Sequence, residues 1–269
     1  SEGNDYKTAD FGVAGRWMTQ NLRTTLGYPC MKVGLSGGAA DKLEDPLYYF
    51  PGGTRSPGVA EAPDTWTTDQ GLLYNWAAAT AKKGGSDGKG YTYDESEGKG
   101  SPNLIASDIE EIGVRGLCPN GWHLPSDKEW NQLLIAISED RVNKYSDASM
   151  TTEVETWNSS LDVIDGWQGQ YSGVHMKSKT SVLSSYTTNG KSKDKNNNGF
   201  DVLLVGNAQA AYHNLFGRYA YFWTSSAYND VKAWHRHFYY STDANGDGRS
   251  VYRAPEGREY MFSVRCKQD

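Results

Sequence analysis

Two histidines two residues apart have the spacing best suited to chemistry. His235 and His237 lie in the segment Trp-His-Arg-His-Phe-Tyr-Tyr (234–240), and residues i and i+2 of a strand point to the same face. Two imidazoles could serve a metal ion, but the sequence offers no assignable third ligand for zinc. We favour a simpler interpretation, in which the pair lies on the polar face of a strand whose other face, with Phe238 and Tyr240, is core.

Two segments have the oxygen-rich spacing that hard cations prefer. Asp-Lys-Asn-Asn-Asn-Gly (194–199) and Asp-Ala-Asn-Gly-Asp-Gly (243–248) each resemble the first half of a calcium loop. Neither segment reaches a bidentate Glu at its twelfth position, which is Val205 or Ala254, and ordinary hairpin turns also explain both. Calcium stays an open alternative, and its candidate ligands are Asp243, Asn245 and Asp247.

The number of cysteines, three, permits one disulfide and leaves one thiol over, without selecting the pair. A bond between Cys118 and Cys266 would tie the end of the chain to the core and, in the chain-entropy model, would contribute about 5 kcal/mol. Two buried free thiols are the alternative. In either case Cys30 is expected to be unpaired.

The clearest element that could position these side chains is a helix beginning at residue 126. Ser126 and Glu129 have capping-box spacing, which lets each side chain accept a hydrogen bond from an orphan backbone N–H. The apolar residues that follow fall on one helical face, which should pack on a sheet. They are Trp130, Leu133, Leu134 and Ile137.

The other elements are less regular. Residues 72–81 are a second helix candidate, and residues 11–22 read as a short strand entering a turn, with Val13, Trp17 and Leu22 as core candidates. The closing third of the chain has closely spaced strand candidates between Gly-, Asn- and Asp-bearing turns. These strand candidates are 200–205, 219–226, 231–241, 250–253 and 259–266, the last with Phe262, Val264 and Cys266 on one face.

Composition excludes some partners. Thirty glycines, eighteen tyrosines and nine tryptophans are typical of a fold with many short strands and turns. The net charge of −6 and the lack of a basic stripe argue against a nucleic-acid partner. No apolar run could cross a bilayer. A cleaved signal peptide or an upstream lipid anchor would leave the same beginning, Ser-Glu-Gly-Asn-Asp.

Five sequence blocks in order resemble a known family. They are Arg-Trp-Met-Thr-Gln-Asn-Leu (16–22), Leu-Tyr-Asn-Trp-Ala-Ala-Ala (73–79), Cys-Pro-Asn-Gly-Trp-His-Leu-Pro-Ser-Asp-Lys-Glu-Trp (118–130), Phe-Trp-Thr-Ser-Ser (222–226) and Phe-Ser-Val-Arg-Cys (262–266). Together they look like the Fibrobacter succinogenes major paralogous domain, found on surface lipoproteins and secreted proteins of Fibrobacter and the Bacteroidetes.

The resemblance implies an α+β, C-type-lectin-like fold with two small antiparallel sheets, two main helices and long irregular loops. It also implies a Cys118–Cys266 disulfide and an extracytoplasmic location at the cell surface or outer membrane. We expect residues 1–269 to form one domain, with residues 1–10 as a tail. Lectin-like domains and formylglycine-generating enzymes share this architecture, so the fold does not choose between binding and catalysis.

The residues favour a non-enzymatic domain that binds or adheres to a surface glycan or protein. No nucleophile–base–orienter arrangement can be read from the serines and histidines. The lectin tripeptides Glu-Pro-Asn and Trp-Asn-Asp are absent, which points to a calcium-independent surface of aromatic and polar side chains. A fimbrial or cell-envelope component and a formylglycine-generating-like enzyme are the alternatives. The candidate ligand-binding residues are Tyr212, His213, Arg218, Tyr219, His235, His237 and Tyr239.

Overall fold

A computed structural model describes eleven stretches of the chain, and every structural statement below refers to them. Within these stretches the fold combines short antiparallel sheets with a few helices, so the predicted α+β class is confirmed. The described residues are 4–25, 46–52, 62–81, 114–140, 165–168, 172–180, 182, 199–209, 212–229, 231–241 and 250–269.

Most of the elements are short, and the longest strands lie near the C-terminus. Two 3₁₀ turns, Gly12–Ala14 and Thr68–Gln70, accompany them. In chain order the strands and helices are β1 (Thr8–Asp10), β2 (Arg16–Met18), β3 (Tyr48–Tyr49), β4 (Leu73–Tyr74), α1 (Trp76–Ala79), β5 (Trp122–His123), α2 (Asp127–Asp140), β6 (Gly166–Gln168), α3 (Ser172–Met176), β7 (Asn207–Gln209), β8 (Tyr212–Asn214), β9 (Tyr219–Ala227), β10 (Lys232–Tyr239), β11 (Val251–Gly257) and β12 (Lys267–Gln268).

Two four-stranded antiparallel sheets organise the described part of the chain. The first has the order β1-β2-β12-β5 and pairs strands from both ends of the chain. The second has the order β6-β11-β10-β9, and two-stranded sheets β3-β4 and β7-β8 complete the set. Residues 8–10, expected in a terminal tail, instead form the edge strand of the first sheet.

Helix α2 covers the inner face of the second sheet. Its capping box forms as predicted: the Glu129 carboxylate accepts the Ser126 N–H at 2.8 Å, and Ser126 Oγ accepts the Glu129 N–H at 3.2 Å. The predicted stripe is buried, and the ring of Trp130 packs against Trp17 and Phe200 at 5.4 Å between centroids. This cluster of edge-on aromatic rings forms the main core.

The Cys118–Cys266 disulfide is present, with the two Cα atoms 5.9 Å apart and both residues buried. It joins the segment before α2 to the segment before β12, across 148 residues of chain. Cys30 lies outside the described residues.

One predicted element is shorter than the sequence suggested, and one predicted core residue is exposed. The helix expected over 72–81 is the strand β4 followed by the four-residue helix α1. Asn75 separates them, because its side-chain oxygen accepts both the Ala78 N–H at 3.0 Å, as an N-cap, and the Leu47 N–H at 2.9 Å. Val13, expected in the core, is 87% exposed on the first 3₁₀ turn, whereas Trp17 and Leu22 are buried as predicted.

Two predicted strands do not form. Residues 200–205 hold one isolated bridge, from Val202 to Lys177, because Arg265 donates to the carbonyls of Phe200 and Asp201. Residues 259–266 make only isolated bridges. Alternation fails there since Ser263 and Arg265 are as buried as the apolar residues between them.

The strands predicted at 219–226 and 231–241 are confirmed as β9 and β10. The strand expected at 250–253 extends further, to Gly257 in β11. Among the described residues, no helix is long and apolar enough to span a membrane.

Candidate ligand-binding face

Four rings form one row across the outer face of the second sheet. Strand register places Trp167 opposite Tyr252, Tyr252 opposite His237, and His237 opposite Tyr221. Successive ring centroids are 5.0, 4.5 and 5.0 Å apart. We call these residues the ring row. Each is half-buried. The centroids of the outermost rings, Trp167 and Tyr221, are at most about 10 Å apart, because both lie close to His237, at 5.4 and 5.0 Å.

Trp167 lies across its neighbours rather than beside them. The rings of Tyr252 and His237 are stacked, with 13° between their planes, whereas Trp167 is nearly perpendicular to both, at 73° and 86°. Its centroid is almost equidistant from them, at 5.0 and 5.4 Å. The indole therefore lies crosswise to the stacked pair and contacts both of its rings.

The predicted histidine pair is present, but it is not a polar, solvent-facing pair. His235 Nε2 lies 3.1 Å from His237 Nδ1, so one imidazole donates to the other. His235 is only 3% exposed, beneath Phe262 and Tyr221. Burial lowers the pKa of His237 to about 3, and burial together with the charges of its neighbours lowers the pKa of His235 well below its usual value. Both imidazoles are neutral near pH 7.

A second ring pair extends the face towards the end of β10. Tyr239 lies opposite Tyr219, with centroids 4.7 Å apart, and Tyr219 stacks on Tyr221 at 5.8 Å. Arg218 immediately precedes β9 and is exposed, and its guanidinium is 5.9 Å from the ring centroid of Tyr240. The structure thus gathers four of the predicted residues on one face, with Arg218 at its end.

Tyr212 and His213 belong to a different part of the fold. They lie in β8, which pairs with β7 in its own two-stranded sheet. Their side chains lie outside the described part of the structure, so their predicted role in ligand binding stays a prediction.

Sequence reasoning missed three members of the ring row. Tyr221 and Tyr252 could have been predicted, because Tyr221 follows Tyr219 at strand spacing and Tyr252 lies in a predicted strand. Trp167 had no such signal, since β6 has only three residues and its neighbour in the sheet is 85 residues away in sequence, at Tyr252.

Charge is distributed unequally between the two faces of this sheet. Its two arginines, Arg236 and Arg253, point inward and share the carboxylate of Asp127 at 2.5 and 2.7 Å. The outward-facing residues of the described strands include no lysine or arginine. Burial raises the pKa of Tyr221, and the charges of its neighbours, the Glu256 carboxylate among them, add to this effect.

The calcium prediction could not be compared with the structure. Asp243, Asn245 and Asp247 lie outside the described residues, as does the segment 194–198. Among the residues that the structure does describe, no group of three or more His, Cys, Asp or Glu could hold a metal ion.

His123 belongs to a buried polar network rather than to the ligand-binding face. Its imidazole bonds Glu129 at 2.9 Å and Asp269 at 2.7 Å, and Lys267 donates to Glu129 at 2.8 Å. Burial disfavours the charged imidazole, but the two carboxylates outweigh it and raise the pKa of His123. Burial likewise disfavours the Glu129 carboxylate, yet His123 and Lys267 lower its pKa to about 2. The network fastens the C-terminus to the start of α2.

A family model described as the Fibrobacter succinogenes major domain matches residues 14–267. The chain belongs to this family. Searches of curated proteins and of solved structures give no significant match.

The sequence blocks that identify the Fibrobacter succinogenes major domain build its scaffold. Block 118–130 supplies a disulfide cysteine, the capping box and the core ring of Trp130. Block 222–226 lines the core and the contact with α1, where Thr224 accepts the indole N–H of Trp76. The ring row lies wholly outside these blocks. These blocks therefore supply the framework of the fold, and the ring row lies in the segments between them.

Proposed function

We propose that this protein is a non-enzymatic extracytoplasmic binding domain that holds a glycan or protein ligand against the outer face of its second sheet. The observation that carries the proposal is the packing of Trp167, a half-buried indole that lies crosswise against the stacked rings of Tyr252 and His237. A half-buried tryptophan held against two rings is a preorganised anchor, because little side-chain freedom remains to be lost on binding.

The ring row offers two kinds of contact. The apolar face of Trp167 can stack on the C–H face of a sugar or on an apolar side chain. The tyrosines carry their hydroxyls at the ring end farthest from the strand, where they can donate and accept hydrogen bonds. Small-molecule and peptide sites commonly combine an aromatic surface with a few polar groups in this way.

The histidines support binding rather than catalysis. A general acid or base works best with a pKa near the operating pH, whereas burial lowers the pKa of His237 to about 3 and lowers that of His235 well below its usual value. Their mutual hydrogen bond at 3.1 Å gives them a packing role within the sheet.

The proposed location and fold type rest on the disulfide and on the family. Disulfides persist in oxidising compartments, and Cys118–Cys266 is buried in a core cluster that also contains Met18 of the first sheet and Trp76 of α1. We propose a C-type-lectin-like arrangement displayed at the cell surface or outer membrane, with a lipid anchor upstream of this chain. Protease shaving of intact cells tests the location, since a surface domain is released and a periplasmic one is protected.

The binding function is tested by a glycan array together with pull-downs on cell-surface protein extracts. Wild type is compared with Trp167→Ala and with Tyr228→Ala. Tyr228 is a suitable control because it is another half-buried ring, stacked edge-on at 5.1 Å against Trp234, whose side chain lies on the opposite face of β10. The proposal expects binding that Trp167→Ala weakens and Tyr228→Ala preserves. Equal binding by both variants contradicts it.

Calcium is tested on the same samples. A bound ion raises the thermal midpoint by mass action, so melting curves with millimolar calcium and with chelator are compared. We expect ligand binding at the ring row to persist in chelator, because its rings need no metal to present their faces and hydroxyls.

A further inference from the structure

We infer that the ligand held by the ring row is an uncharged glycan of more than one sugar ring. This inference rests on the proposed binding function and narrows its ligand to one chemical class. It is carried by the charge distribution of the second sheet and by the length and composition of the row.

The outward positions of the described strands carry no lysine or arginine that could neutralise an anion. Both arginines of the sheet are withdrawn to the inner face, where Arg236 and Arg253 are 0% exposed and bound to Asp127. The described outward positions carry neutral rings and, at Glu256, a half-buried carboxylate. The imidazole of His237 stays uncharged because burial lowers its pKa to about 3. An anionic sugar brought here would lose hydration without gaining a cation.

The arginine that flanks this face, Arg218, lies outside the ring row. Arg218 precedes β9, beyond the Tyr219–Tyr239 pair, and its guanidinium lies 5.9 Å from the Tyr240 ring. It can meet a ligand only at the end of the face. An acidic glycan that used the site would therefore depend on Arg218, and this dependence can be measured.

The dimensions of the row favour an extended ligand over a single sugar. Rings on four adjacent strands run from Trp167 to Tyr221, and the centroids of these two outermost rings are at most about 10 Å apart because both lie close to His237. The Tyr219–Tyr239 pair continues the face beyond Tyr221. Tyrosine hydroxyls accompany the apolar ring faces, and alternating C–H faces and hydroxyls are the chemistry of an uncharged oligosaccharide. The central strands β10 and β11 are already paired on both sides, so a peptide could add to the sheet only along its edges, beside β6 or β9, and not along the ring row.

The test measures binding by titration calorimetry with two panels of oligosaccharides. The uncharged panel holds gluco-, xylo-, manno- and galacto-oligosaccharides of increasing length, and the acidic panel holds oligogalacturonate and sulfated or sialylated glycans. Wild type, Trp167→Ala, Trp167→Tyr, Arg218→Ala and Tyr228→Ala are compared, each after its thermal melt confirms folding.

We expect at least one uncharged glycan to bind, with affinity rising with chain length. Trp167→Ala should weaken it about tenfold or more, Trp167→Tyr should restore part of the loss, and Arg218→Ala and Tyr228→Ala should leave it unchanged. The inference is overturned if acidic glycans bind in preference and Arg218→Ala abolishes their binding. It is also overturned if a protein partner depends on Trp167 and no glycan binds. In both cases the binding function stands. If no ligand depends on Trp167, the binding function at this face fails as well.

Discussion

Asp127→Ala provides a sharp test of how the second sheet is attached to α2. The Asp127 carboxylate contacts Arg236 at 2.5 Å and Arg253 at 2.7 Å, and all three side chains are at most 1% exposed. Removing it leaves two buried guanidinium groups without their shared counter-charge. Breaking a buried ion pair on one side costs about 3–5 kcal/mol, so we expect the free energy of unfolding to fall by that amount.

Equilibrium urea unfolding measures this change, with Asp10→Ala as the matched control. Asp10 also pairs with an arginine, Arg16 at 3.6 Å, but those side chains are 59% and 44% exposed, and exposed pairs contribute at most about 1 kcal/mol. The two variants remove the same group from the two environments. Similar losses in both, or a loss below about 1 kcal/mol for Asp127→Ala, would refute the view that this buried cluster holds the sheet to the helix.

Three further predictions follow from other contacts. Reduction of Cys118–Cys266, which closes 148 residues, should lower the free energy of unfolding by about 5 kcal/mol in denaturant melts, and an unchanged midpoint would contradict this. The pKa of Glu129 is lowered from 4.5 to about 2, so its stabilising effect is present above pH 4.5 and is lost as the pH falls towards 2. The pKa of His123 is raised above 6.5, so its stabilising effect is present below pH 6.5 and is lost as the pH rises. Their network should therefore contribute most between these values, and a pH series of thermal melts on Glu129→Gln should lose the acid limb. Gly116→Ala should cost more than about 1 kcal/mol in the same melts, because φ is +56° and a Cβ would overlap the Ala79 carbonyl.

Local chemistry made the predictions around α2 reliable. The capping box needs only Ser126 and Glu129 at the right spacing, and the apolar stripe needs only helical periodicity, so both are written in a short segment. The strands β9 and β10 are long enough for their composition and flanking turns to show. The disulfide was correct because the family resemblance chose among pairings that cysteine counting left open.

Predictions failed where contacts distant in sequence determine local structure. Arg265 holds the carbonyls of Phe200 and Asp201, some 65 residues away, and residues 200–205 give up the strand that their apolar run favours. Asn75 delays the start of the expected helix to Trp76, because its side chain caps the helix and also binds Leu47. Neither partner can be identified from a local pattern.

The candidate face could be predicted only within single strands, for a reason that lies in the sheet itself. Alternation along β10 places His235 and His237 together, but both faces of this strand are largely covered, with Trp234 and Phe238 on one side and His235 on the other. The hydropathy of the strand then does not indicate which face is inner. The ion pair with Asp127 determines it, because it holds Arg236 on the inner face and so fixes which alternate residues of β10 point inward. The same choice leaves the outer face without a positive charge and turns its rings into one surface. The buried ion pair and the proposed preference for an uncharged ligand are thus two consequences of one strand register. A shift of that register by one residue would turn Arg236 outward and the rings of β10 inward.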